Sequence, residues 1–196
     1  MEPTLTDLRK NYERFSDDKL IRIATEDGPG LRPEALALLR EIIQERGLSE
    51  DIQQGIDAQF DEFNQQTLNE HAGLLRGLPC PHCGSDKEKL NATITATVVS
   101  MVVVTNYETE FKIACPKCLD EANDRAMTKS ALLGWWGPWG LIKTPQALFL
   151  NYKMKKQNRL PEANHLFLEF VYERRGRIEA NKNNQGELRD MIKRIR

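Results

Sequence analysis

Two close pairs of thiols dominate the chemistry open to this chain. Cys80 and Cys83 lie in Cys80-Pro81-His82-Cys83-Gly84, and Cys115 and Cys118 in Cys115-Pro116-Lys117-Cys118; no other cysteine occurs. Each pair can form a tight turn that aims two sulfurs at one point. A hairpin between the turns then completes a tetrahedral four-sulfur site. Zn²⁺ suits such a site because it has no directional d-electron preference and takes thiolates at about 2.3 Å. Cys80, Cys83, Cys115 and Cys118 are therefore the expected ligands of a structural Zn²⁺. Iron, in a rubredoxin-like or cluster form, fits the same spacing. A redox Cys-x-x-Cys sits singly at a strand-to-helix junction, and catalytic zinc needs a position that four thiolates leave no room for. Gly84 is expected at positive φ, which lets nearby amides turn toward sulfur. Lys87, Lys89 and Lys117 lie close enough in sequence to offset the negative charge of the site.

The stretch between the pairs must bring them together. Residues 92–114 are rich in β-branched side chains, which favour strand. Thr93 to Thr105 reads as a buried strand, and Asn106 as the turn. Tyr107, Thr109, Phe111 and Ile113, alternating with Glu108, Glu110 and Lys112, read as a half-buried return strand.

Helices are expected on both sides of this hairpin. Before it, Ser16 caps a helix through Ala24, and Gly28-Pro29-Gly30 breaks the chain. Pro33 opens a helix bearing Leu36, Leu39, Ile42 and Ile43, which stops at Gly47. Ser49 caps the next helix, with Glu50 and Asp51 in its first turn. Its apolar face (Ile52, Ile56, Phe60, Phe63, Thr67) suggests one helix continuing to about Leu75. After the second thiol pair a helix runs from Leu119 to Leu133. Thr144 and Pro145 then read as cap and first turn of another, and Pro161 begins one that ends near Gly176. Asn181 to Gly186 reads as a flexible polar link. Leu188, Met191, Ile192 and Ile195 form a last amphipathic turn or two, suited to folding on a partner.

All three tryptophans, Trp135, Trp136 and Trp139, fall in Gly134-Trp135-Trp136-Gly137-Pro138-Trp139-Gly140, which glycine and proline should bend. One reading folds this segment inward to close a small core. The other makes it an interface, either for a protein partner or for the headgroup zone of a membrane, since 131–150 carry Lys143 as the only charge. A full membrane span is disfavoured by Gly134, Gly137, Pro138, Lys143 and Pro145.

The thiol pairs around a hairpin resemble a zinc ribbon. The Trp segment, with Leu132 and Leu133 before it, resembles one that follows the second thiol pair in a group of uncharacterised bacterial zinc-ribbon proteins. The stretch Asp18-Lys19-Leu20, Pro33-Glu34-Ala35-Leu36 and Glu45-Arg46-Gly47-Leu48 is similar to a short N-terminal helical element of many bacterial proteins of unknown role. These resemblances cover about three-quarters of the chain and imply a zinc-ribbon fold; they carry no established chemistry beyond the metal.

Among 196 residues, 40% are hydrophobic and 29% charged, which excludes collagen-like and wholly disordered chains. Charge is uneven: residues 1–79 carry 9 basic and 16 acidic groups, 80–150 carry 7 of each, and 151–196 carry 12 and 6. The basic end, including Lys153, Lys155, Lys156, Arg174, Arg175 and Arg177, could meet nucleic-acid phosphates, although its aromatics fall at core spacing and acidic groups are interleaved. His71, His82 and His165 are isolated and read as satisfied or exposed. The first residues lack the basic-then-apolar pattern of a secretion signal, so a cytoplasmic location, with membrane association as a variant, is expected. No nucleotide loop, nucleophile elbow or metalloprotease motif is present.

The expected molecule is an α+β protein: a zinc-ribbon β-hairpin core flanked by N-terminal and C-terminal helices. Its segments are an acidic helical part at 1–78, the ribbon at 79–130, the Trp-rich loop and helix at 131–157, and basic helices at 158–196. The expected role is non-catalytic binding or scaffolding, with a protein partner first, then a membrane surface, then nucleic acid.

Overall fold

A computed structural model describes residues 4–48, 50–60 and 64–195, with the Glu50 side chain outside that set. The expected cap at Ser49, the stripe position Phe63 and the terminal Arg196 lie outside the described residues. Among the described residues the protein is α+β, with ten α-helices and one antiparallel hairpin. It divides into two compact units, 1–71 with 170–188, and 72–169 with 189–196.

The first unit is helical. An unexpected helix, α1 (Leu5–Glu13), opens it. Thr4 Oγ1 accepts the Asp7 N–H at 3.3 Å while Asp7 Oδ2 accepts the Thr4 N–H at 3.3 Å, a reciprocal cap that satisfies two otherwise orphan donors. Helix α2 (Asp17–Glu26) follows Ser16, which holds the cap position without a side-chain bond. A 3₁₀ turn at Gly28–Gly30 leads to α3 (Pro33–Glu45), ended by Gly47 at φ 64° as expected. Leu20, Ala24, Leu39, Ile42, Ile43 and Ile56 form the core.

The single long helix expected through Leu75 is instead two, α4 (Glu50–Asp57) and α5 (Gln65–Arg76). Arg175 supplies the reason: its guanidinium donates to the carbonyls of Ala58 and Gln59, capturing groups a continuing helix would need. Phe60 and Thr67, placed on the buried face by helical spacing, are accordingly exposed. Gly176, expected to end a helix, lies inside α9 (Arg175–Ala180). A Cβ there would strike the Gly55 carbonyl, and one on Gly55 the Gly176 carbonyl, so two glycines permit a close crossing of α4 and α9.

In the second unit β1 (Asn91–Met101) pairs with β2 (Val104–Ala114), Asn91 opposite Ala114 and Met101 opposite Val104. This register puts the turn at Val102–Val103 rather than Asn106, which pairs with Val99 inside the ladder. A Ser100–Thr105 hydroxyl bond of 2.8 Å closes the strands just below the turn. The Val-rich run is therefore buried only up to Val98 and Ser100; Val102 and Val103 are 78% and 89% exposed. The alternation of β2 is covered by protein only toward its end, where Ile113 and Ala114 are buried and Phe111 is partly so.

Two long helices, α6 (Pro116–Leu133) and α7 (Pro138–Asn158), pack on β1 and on each other. Pro138, not Pro145, is the first-turn proline of α7. Pro145 lies inside the helix on its exposed side, where the Leu141 carbonyl freed of its partner can meet water.

Among the described residues the outer edge of β1 has no neighbouring strand, and side chains take its place. Asn123, Ser130, Asn151 and Asn164 bond to the backbone of Ile94, Val98, Ala96 and Ala92 at 2.6–3.3 Å. All four are buried. Asn164 also accepts the Phe167 N–H at 3.0 Å, so α8 (His165–Glu173) starts after it rather than at Pro161.

The polar link expected at Asn181–Gly186 is a turn running into α10 (Gln185–Lys193). Leu188, Met191 and Ile192 are buried within the chain itself, so this helix needs no partner to cover it.

Candidate metal centre

The chain reaches the thiols by two different local structures. Cys80 and Cys83 sit in a loop turn where the Gly84 N–H donates to the Cys80 carbonyl at 2.9 Å and the Cys80 N–H to that of Ser85 at 2.8 Å. Gly84 has φ 76°, the left-handed conformation that closes this turn without a Cβ penalty. The second pair is not a free turn: Cys115 is the cap of α6, Pro116 its first residue, and Cys118 lies one turn in. Proline suits that position because its missing N–H would have no helical partner.

The hairpin brings the two together. The four Sγ atoms lie within 4.8 Å of one another, with Cys83 and Cys115 Sγ 3.7 Å apart. A tetrahedron with arms of about 2.3 Å has edges of about 3.8 Å, so the donors stand at metal-ligand spacing. The separation is far beyond an S–S bond of about 2.05 Å. Cys80, Cys115 and Cys118 are buried, and Cys83 is exposed.

Electrostatics within the cluster are uneven. Burial opposes ionisation of Cys80, but N–H groups of Cys115, Cys83 and His82, together with the Cys83 thiol, outweigh it and bring the thiol from 9.0 to about 7. The Cys115 N–H lies 3.3 Å from that sulfur. Burial raises Cys115 and Cys118, and for Cys118 bonds to Cys115 and Cys83 and the negative charge of Cys80 and Cys115 push the same way. Four sulfurs this close cannot all ionise unless a cation neutralises them, and a soft divalent ion meets that requirement. The donor set therefore fits a bound metal. Lys87, Lys89 and Lys117 are exposed, and backbone amides are what surround Cys80.

The other candidate residues fall elsewhere. Trp135, Trp136 and Trp139 are 41%, 68% and 64% exposed, so the inward-folded reading of this segment does not hold. The reason is local: Trp135 Nε1 donates to the Ala131 carbonyl at 2.8 Å and Trp136 Nε1 to that of Leu132 at 3.4 Å. The end of α6 thus satisfies two indole N–H groups and leaves the rings facing outward.

Much of the basic set is occupied internally. Arg174 and Arg177 pair with Glu26 at 3.1 and 2.8 Å, and Lys155 with Asp124 at 2.6 Å. Arg175 is held by the carbonyls of Ala58 and Gln59 just after α4, and Lys156 stands 4.8 Å from the Tyr152 ring centroid. Lys153 is exposed. His71 is buried against Glu179 at 2.9 Å, while His82 and His165 are exposed.

Sequence reasoning missed the hairpin tip, and met the outer face of α7 only as part of the low-charge stretch 131–150. A usable signal existed for both: residues 90–107 carry no charge, and Ile142, Pro145, Phe149 and Tyr152 recur at helical spacing. Among the described residues no helix is long and apolar enough to cross a membrane. No protein-family model, curated protein or solved structure matches the chain.

Proposed function

We propose that the protein is a non-catalytic binding module of zinc-ribbon type, in which Cys80, Cys83, Cys115 and Cys118 hold one structural Zn²⁺. The observation that carries the metal is the gathering of four Sγ atoms within 4.8 Å. With all four positions of a tetrahedral ion taken by thiolate, no water can be activated there, and the ion acts as a cross-link. It ties the loop before β1 to the first turn of α6. Structural zinc contributes on the order of 10–16 kcal/mol of binding free energy in small domains, comparable with a protein's whole stability.

The binding role rests on the exposed Trp segment, which the metal-fixed helix α6 carries at its far end. The test is metal analysis with chelation. Purified chain is expected to hold one zinc per molecule, and its removal is expected to lower the unfolding temperature and loosen the second unit. Absence of stoichiometric metal, or unchanged unfolding in Cys80→Ser/Cys118→Ser, would falsify this reading.

A further inference from the structure

Two segments far apart in sequence meet at one end of the second unit. A Cβ on Gly137 would lie 2.8 Å from Ser100 Oγ and 3.5 Å from the carbonyls of Met101 and Val102, so the Trp segment rests against the base of the hairpin turn. Gly140 approaches Ser100 in the same way. Around this junction the exposed side chains are apolar: Met101, Val102 and Val103 from the hairpin, and Trp136, Trp139 and Leu132 from the helical side. The surface continues along α7 through Ile142, Pro145, Phe149 and Tyr152, the outward face of that helix. Phe149 is 69% exposed. Single exposed apolar residues are ordinary, but a continuous surface of this kind marks an interaction site.

Charge identifies the occupant. From 125 to 161 the chain has seven basic residues and no acidic one, and from 90 to 107 it has no charge. Lys129 lies one helical turn before Leu132, and Lys143 one turn after Trp139, where its ammonium stands 5.6 Å from the Tyr107 ring centroid. Lys153 and Lys156 follow where the apolar face of α7 ends. An apolar tip rich in Trp and Val, with Lys129 and Lys143 each one helical turn from its Leu132–Trp139 side, matches the two layers of an anionic bilayer surface, acyl chains below and negative headgroups above. The turn residues Val102 and Val103 are almost wholly exposed, which suits insertion into a fluid surface. Its Trp135 and Trp136 N–H groups are satisfied from within, so the rings can leave water without stranding those donors.

We infer that this end is a membrane-docking surface: the hairpin turn Val102–Val103 and the Trp135–Trp139 segment insert shallowly into a bilayer containing anionic lipid, with Lys129 and Lys143 at headgroup level. The inference rests on the binding role proposed above and names its partner.

The test uses the full metal-loaded chain and vesicles of phosphatidylcholine with or without phosphatidylserine. Because the only tryptophans are at the tip, their emission reports insertion directly. Sedimentation with anionic vesicles and a blue shift are expected, with binding falling about fivefold for each of Lys129→Gln and Lys143→Gln. Trp136→Ala/Trp139→Ala and, separately, Val102→Asp/Val103→Asp are expected to abolish sedimentation. The second pair sits in an exposed turn, so its folding and zinc content serve as control for the first. Zinc-loaded, cooperatively unfolding chain that shows no shift and no sedimentation overturns the docking surface while leaving the metal reading intact. Loss of zinc from wild-type chain overturns the metal reading instead. Vesicle binding that survives both double substitutions also overturns the assignment. Self-association in solution that those substitutions dissolve replaces the bilayer with a second copy of the chain.

Discussion

Asn151 of α7 donates to the Ala96 carbonyl at 2.7 Å and accepts the Ala96 N–H at 3.1 Å, so one amide side chain does for β1 what a neighbouring strand would do. Its Nδ2 also reaches the Ala147 carbonyl at 2.8 Å, and its Oδ1 accepts from Asn123 at 3.0 Å. The edge of a sheet is ordinarily open to pairing with another chain. Here it is closed by a buried row of polar side chains.

Removing that amide leaves a buried donor and acceptor of Ala96 unpaired. Each such group costs about 1–3 kcal/mol, so Asn151→Leu is expected to destabilise by about 2–5 kcal/mol despite its added apolar surface. Urea unfolding of metal-loaded protein measures this. A loss below about 1 kcal/mol would show that the edge is satisfied in another way.

Metal retention should depend on pH. Ligand thiols must lose their protons to bind, and burial raises Cys115 and Cys118, so protons compete with the ion and affinity falls on acidification. Competition with a chromophoric chelator across pH reads the effect. Cys83→Ser, at the one exposed ligand, is expected to release metal at higher pH than wild type. Unchanged retention would remove Cys83 from the ligand set.

In the first unit, Glu179 is half of a buried contact with His71 and also meets Lys182 at 2.6 Å. Burial works against its charge, yet the bonds from Lys182 and His71 and their charges win and hold its carboxyl below the usual range. A carboxylate depressed in the folded state adds stability above its unfolded pKa, near 4.5, and loses it as pH falls through the folded value. Wild type should therefore exceed Glu179→Gln in unfolding temperature at neutral pH, and the gap should close in strong acid. A gap that widens on acidification would contradict this sign.

Trp136→Ala should cost little stability, within about 0.5 kcal/mol, because the ring is exposed and packs on nothing that must stay dry. Acrylamide should quench the native emission nearly as well as that of the unfolded chain. A loss of several kcal/mol would place the ring in a core.

The sequence disclosed what depends on residue chemistry at short range. The thiol spacing located all four Sγ atoms, and Pro33, Gly47 and Gly84 marked a helix start, a helix stop and a turn because each acts through its own backbone. What stayed hidden depends on distant partners. Phe60 carries the helical period of Ile52 and Ile56, but Arg175, more than a hundred residues later, ends the helix before it. Asn106 is a better turn former than Val102, yet the strands pair Asn91 with Ala114 and Val99 with Asn106, which puts the valines at the bend. The asparagines of α6 and α7 look like helix surface in sequence and prove to be its most buried face. By hydrophobicity alone the tryptophans fit either a core or an interface, and local N–H satisfaction at the end of α6 turns the rings out.

Helix α6 begins at a thiol and ends at the tryptophans. Its 18 residues form a strut of about 27 Å, with the four-sulfur cluster at one extremity and the indoles at the other. Leverage follows from that layout. A tilt of about 10° at the sulfur end would swing the aromatic end by about 5 Å over this length. The four-sulfur cluster is thus a fulcrum, and the aim of the distant rings is fixed by how stiffly that cluster is held.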